Sequence, residues 1–120
     1  MPIVNMTIKK GAPENKIIEC MKEITNAVAG NLEKTVPKMV RVTVDEIEES
    51  QWYIGDEHPS SPHPLLTIDI GGGRSDESID NTLKAIVNAV ADSLEVSKSE
   101  ISIYRIKTPD EHFTIAGKVK

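Results

Sequence analysis

The chain repeats itself. Shifting the sequence by 62 positions brings Pro2 onto Pro64, Ile8 onto Ile70, Gly11 onto Gly73, Ile17 onto Ile79 and Lys22 onto Lys84. The match continues through Ile24, Asn26, Ala27, Val28, Ala29, Leu32 and Glu33, which fall on Ile86, Asn88, Ala89, Val90, Ala91, Leu94 and Glu95. Residues 2–34 and 64–96 therefore share 12 identities without a gap. With a one-residue slip the register extends, Gln51-Trp52-Tyr53-Ile54-Gly55 falling on His112-Phe113-Thr114-Ile115-Ala116. Such a repeat constrains the fold more than any single motif. The same local sequence builds the same small unit twice, and each unit needs the other to bury its apolar side.

Each copy reads as strand, helix, strand. Residues 2–9 are β-branched and apolar, and Gly11 breaks the run. Pro13 suits the first turn of a helix over Glu14–Glu33, where Ile17, Met21, Ile24, Val28 and Leu32 recur at spacings of three and four. Pro37 closes the connection and Met39–Ile47 forms a second strand. In the second copy, Pro64–Ile70 is the strand, Gly71-Gly72-Gly73 the turn and Ser75 the helix N-cap. Ile79, Leu83, Ile86, Val90 and Leu94 then share one helix face, and Ile101–Ile106 returns as a strand. The expectation is one domain over 1–120, with a first β-α-β unit at 1–55, a linker at 56–63 and a second unit at 64–120. Strands joined by a crossover helix pair in parallel and right-handed. The fold class is α/β (α+β), a four-stranded mixed sheet with both helices on one face. Alternate strand residues read as apolar on both sides, so the open face calls for cover by other subunits.

Composition narrows the function. Aromatics make up 3% of the 120 residues, so Ile, Val, Leu, Ala and Met must build the core. A net charge of −5 without a basic cluster argues against nucleic-acid binding. No apolar run approaches the ~20 residues that span a bilayer, and no signal peptide is visible. Cys20 is alone, beside the apolar face of the first helix, and reads as a core-edge residue. His58, His63 and His112 lack metal-ligand spacing. A cytoplasmic domain without metal or cofactor is expected.

Pro2 then stands out. An initiator Met followed by a small residue is removed, and a chain beginning at Pro2 carries a free secondary amine. An internal proline has neither N–H nor basicity. A terminal one can do acid–base chemistry.

A Pro after the initiator Met, a β-α-β unit of this length and an aromatic-x-Ile-Gly hairpin together resemble 4-oxalocrotonate tautomerase (4-OT) and its superfamily, which shares a fold with macrophage migration inhibitory factor. Two units in one chain resemble its fused members. The residues that carry the resemblance are Pro2, Gly72-Gly73-Arg74-Ser75-Asp76-Glu77, Val40-Arg41-Val42 and the segments 52–55 and 113–117. The resemblance implies that Pro2 is the general base or acid. It implies that an arginine after the first strand and another on the second strand bind substrate carboxylates, and that an aromatic residue closes the pocket. The first arginine is Ala12 in copy one and Arg74 in copy two. The second is Arg41 in copy one and Ile103 in copy two. The aromatics are Trp52 and Phe113, and Arg105 is held in reserve as a further cation. Pro64 is internal, so its nitrogen is an amide and its end of the chain should be catalytically dead.

The implied reaction is keto–enol tautomerisation of a small 2-hydroxy-dienoate or enolpyruvate-type acid. An amine in an apolar pocket beside arginines is harder to protonate, which suits a base, and guanidinium forks suit carboxylates. The implied assembly is a homotrimer of fused chains. Two alternatives stay open. One is hydratase, dehalogenase or decarboxylase chemistry with a protonated proline and a water-activating carboxylate such as Glu111. The other is a non-enzymatic oligomeric scaffold.

Overall fold

A computed structural model describes residues 2–107 in full, and the backbone at 114–115 and 118–119. Met1, Glu111, His112 and Phe113, which the sequence reading singles out, lie outside the described residues.

The first copy forms β1 (Ile3–Lys9), α1 (Glu14–Asn31) and β2 (Arg41–Ile47). The second forms β3 (Leu65–Asp69), α2 (Asp76–Leu94) and β4 (Ser102–Ile106). Two short strands, β5 (Thr114–Ile115) and β6 (Lys118–Val119), pair antiparallel near the end of the chain. The main sheet has the order β2-β1-β3-β4, with β1 parallel to β2, β3 parallel to β4 and β1 antiparallel to β3.

The central pairing follows from the repeat. Asn5 pairs with Thr67, which is also its equivalent in the second copy. The two units are therefore related by a local two-fold axis through this pair, and the same features face opposite ends of the sheet. Pro2 O accepts a hydrogen bond from Arg41 N at 3.0 Å, and Pro64 O accepts one from Ser102 N at 3.0 Å. A seven-residue strand puts the Pro2 and Pro64 ends roughly 20 Å apart.

One sheet face carries the core. Val4, Met6 and Ile8 of β1 and Leu66, Ile68 and Ile70 in and just after β3 are fully buried under the helices. Ile17, Cys20, Ile24, Val28 and Leu32 meet them from the first helical segment, and Ile79, Ile86, Val90 and Leu94 from the second. Each fully buried Ile contributes about 2–3 kcal/mol of transfer free energy, so this layer dominates stability. Cys20 sits inside the core rather than at its edge, in the position that fully buried Thr82 occupies in the other copy. Thr82 satisfies its hydroxyl on Ser78 O at 2.7 Å.

Local geometry trims the expected elements. The first helix ends at Asn31 rather than Glu33, because Leu32 is already extended (φ −86°, ψ 125°). That turn buries Leu32 and swings Glu33 toward α2. The second strands begin later than the hydrophobic pattern suggests, because Pro37–Met39 and Lys98–Glu100 form 3-10 turns. Gly11 and Gly73 both need a positive φ, +138° and +87°, which explains their identity in the repeat. The register also corrects one assignment. Val4 pairs with Val42 and Leu66 with Ile103, so the equivalent of Arg41 is Ser102, not Ile103.

The other sheet face is not uniformly apolar as expected. Ile3, Leu65, Tyr104 and Ile106 lie there partly exposed, interleaved with Asn5, Thr7, Thr43, Asp45 and Thr67. Asn5 Nδ2 donates to Thr43 Oγ1 at 2.8 Å and to Asp45 Oδ2 at 3.1 Å, and Thr7 Oγ1 donates to Asn5 Oδ1 at 3.3 Å. This face buries polar groups only if they stay mutually bonded.

Candidate active site

Antiparallel pairing of β1 with β3 gathers four segments at one end of the sheet. They are Pro2 before β1, Arg41 at the start of β2, the loop 71–75 after β3 and the segment that follows α1. Pro2 is buried there, preceding Ile3, which pairs with Arg41 on one side and Asp69 on the other. The pairing places Arg41, Ile3, Asp69 and Ile106 in one row on the open face.

Arg74 is held at this end by the other copy. Its Nε donates to Glu33 O at 3.0 Å and its Nη2 to Thr35 Oγ1 at 3.1 Å. Of five guanidinium N–H groups, three have no partner among the described residues. The loop is fixed as well. Ser75 N donates to Glu33 Oε1 at 2.6 Å, and the Ser75 hydroxyl caps α2 by accepting from Ser78 N at 3.2 Å. The Ser75 N–H holds the Glu33 carboxyl below its ordinary 4.5, aided by the Ser75 and Ser78 hydroxyls and Lys34 and opposed by desolvation. Sequence reasoning missed this anchor. The signal was available, since Glu33 and Glu95 are one of the twelve matched pairs and Glu95 ion-pairs Lys16, the counterpart of Ser78.

Arg41 is exposed on the open face, so it bears no burial penalty of the kind its apolar neighbours suggest. Arg105 is placed differently from expectation. It pairs with Ile68, so it lies on the helix side of β4, half-buried, and its buried Nε has no partner among the described residues. The structure therefore does not join Arg105 to Arg41, which faces the opposite side of the sheet. Trp52 is half-buried and stands beyond β2 at the Pro64 end, away from Pro2 of its own chain. Its carbonyl contacts His58 Nδ1 at 3.0 Å, and its indole N–H is buried without a described partner. After it, Ile54 bridges Glu57 across a tight turn in which Tyr53 Oη donates to Asp56 O at 2.6 Å.

A second polar cluster also escaped the sequence reading. Ser61 lies between His63 Nδ1, at 3.1 Å, and the Glu100 carboxylate, to which its hydroxyl donates. No group of three or more His, Cys, Asp or Glu among the described residues could hold a metal ion. No helix among them is long and apolar enough to cross a membrane.

No protein-family model matches the chain. No curated protein matches it either. Solved structures do. A native fused 4-OT superposes with a TM-score of 0.90 at 19% identity, covering 98% of this chain and 94% of that one. A wild-type fused 4-OT symmetric trimer gives 0.87 at 19%, covering 97% and 93%. A member of the cis-3-chloroacrylic acid dehalogenase family gives 0.84 at 21%, covering 98% and 82%. The tandem β-α-β chain thus has, over nearly its whole length, the fold of the fused 4-OT tautomerase-superfamily structures.

Proposed function

We propose that the chain, once processed to begin at Pro2, is a 4-OT-like tautomerase acting on a small enol acid. One observation carries this reading. Pro2 is buried at the end of the sheet where Arg41 of its own copy and the Arg74 loop of the other copy also lie. The proline nitrogen takes the enol O–H proton and returns a proton to carbon, so no bond beyond the tautomeric shift is made or broken. Arg41 and Arg74 bind the substrate carboxylate and the oxygen on which charge develops. Once Met1 is removed, an amine set among apolar residues and beside two guanidinium groups is held toward its neutral, basic form.

Trp52 and Phe113 are proposed to close the pocket. Within one chain Trp52 stands at the far end from Pro2, so its role requires a neighbouring chain. Fused 4-OT relatives are trimers, symmetric or asymmetric. We infer a homotrimer here, with the polar–apolar sheet faces turned inward. A water-adding reading with a protonated proline has one supporting observation, the Asp69 carboxylate in the row beside Pro2.

The decisive comparison is between the processed chain and one extended by a residue ahead of Pro2. Extension converts the amine to an amide and should abolish enol-to-keto turnover in an ultraviolet assay while leaving the fold intact. Pro2→Ala, which keeps an amine, should retain part of the activity with an altered pH profile. Equal rates for processed and extended chains would remove Pro2 as the base.

A further inference from the structure

A pocket opens at the Pro64 end of the sheet, beside the loop that joins β1 to α1. It has a volume of about 250 Å³ and is lined by Lys9, Lys10, Gly11, Lys16, Ser60 and Leu94, among others. Catalysis is closed to it because Pro64 N is a peptide nitrogen. Its charge is another matter. The counterparts of Lys9, Lys10 and Lys16 in the other copy are Gly71, Gly72 and Ser78, so the lysines are particular to this end. Ala12 stands where the other end has Arg74.

Three like charges in one cavity repel unless something negative joins them. Glu48 takes Lys10, at 3.1 Å, and Glu95 takes Lys16. Lys9 Nζ donates to the neutral Ser60 carbonyl at 3.4 Å and has no ion-pair partner among the described residues, so it is the lysine of the three open to an anion. The first turn of α1 borders the cavity with no side-chain cap, its positive helix end offset in part by Glu14 in that turn. The volume, on the order of eight waters, suits a compact ligand.

We infer that this cavity is a non-catalytic binding site for a small oxyanion, inorganic phosphate or a short dicarboxylate, held between Lys9, Lys10 and Lys16. The inference does not depend on the tautomerase reading. Glu95 competes with the ligand for Lys16 and sets its affinity.

The test is amide-resolved NMR on an Arg74→Ala background, which removes the guanidinium at the other end. Inorganic phosphate and succinate are titrated separately at ionic strength held constant with sodium chloride. Saturable shifts at Gly11, Ala12, Asn15 and Lys16 are expected with at least one of them, and the tighter probe identifies the ligand class. Lys9→Gln with Lys16→Gln should weaken binding about tenfold, whereas Glu95→Gln should tighten it. In the otherwise wild-type chain the double lysine variant should leave enol turnover unchanged. Linear shifts that chloride reproduces would overturn the assignment. So would saturable binding that is indifferent to both lysines and to Glu95, or confined to the 71–75 loop.

Discussion

Arg74→Ala tests whether the guanidinium serves the fold or the substrate. The wild-type side chain donates to the Glu33 carbonyl at 3.0 Å and the Thr35 hydroxyl at 3.1 Å. The first bond is exposed and the second part-buried, so water can replace both donors. Their loss should lower stability by only about 1 kcal/mol in total, below the full penalty of an unsatisfied buried group. A midpoint shift of about 3–5 °C follows for a domain of this size. Loss of a charged contact to the substrate carboxylate is a larger effect on turnover, ~1.5–3 kcal/mol, or roughly ten- to a hundredfold in kcat/KM. Thr35→Val separates the two roles. It removes one anchor but keeps the guanidinium, and should cost about half the stability loss and little activity. Arg74→Lys keeps the charge but not the fork and should fall between. Urea titration supplies the stability change, and ultraviolet kinetics with an enol acid supply the rate. Arg74→Ala with kcat/KM within about twofold of wild type would refute the reasoning. So would a Thr35→Val variant as impaired as Arg74→Ala, since the guanidinium would then act only by holding the loop.

Other expectations follow from the same geometry. Burial, with Glu23 adding to it, pushes the Cys20 thiol up to about 12, so a disulfide reagent at pH 8 should label it only as the chain unfolds; rapid labelling of the native protein would contradict its place in the core. The Glu33 carboxyl titrates lower folded than unfolded, so its ionised form supports the fold above about pH 4.5 and that support disappears as pH falls through the lowered value. Glu33→Gln should therefore differ from wild type in stability near neutrality and converge with it in acid, and a pH-independent difference in urea titrations would show that the charge is irrelevant. Sedimentation equilibrium should give a mass three times that of the chain, and a stable monomer at micromolar concentration would remove the trimer from the proposal.

Much was legible in the chain itself. The repeat fixed two β-α-β units in advance, and period-four and period-two patterns located both helices and all four main strands within a few residues. Local rules suffice there, because Gly11, Gly73 and Ser75 dictate backbone geometry within one turn. The core residues were equally readable, since Ile17, Ile24, Val28 and their counterparts share faces that only burial explains. The resemblance implied Arg74 as the arginine after the first strand, because Ala12 stands at that place in the first copy. What the sequence could not decide was which groups meet. Arg105 reads as a spare cation until its pairing with Ile68 turns it toward the helices. The resemblance gives Trp52 a part in closing a pocket, and β2 carries it to the end opposite Pro2 of its own chain. The Glu33 contact that fixes the Arg74 loop spans about forty residues, and the lysine cavity joins β1, α1 and the linker. Side-chain direction across a sheet depends on register, and register here is set by the antiparallel meeting of β1 with β3. That meeting is a tertiary event, and it alone places Pro2 and two arginines at one end of the molecule and three lysines at the other.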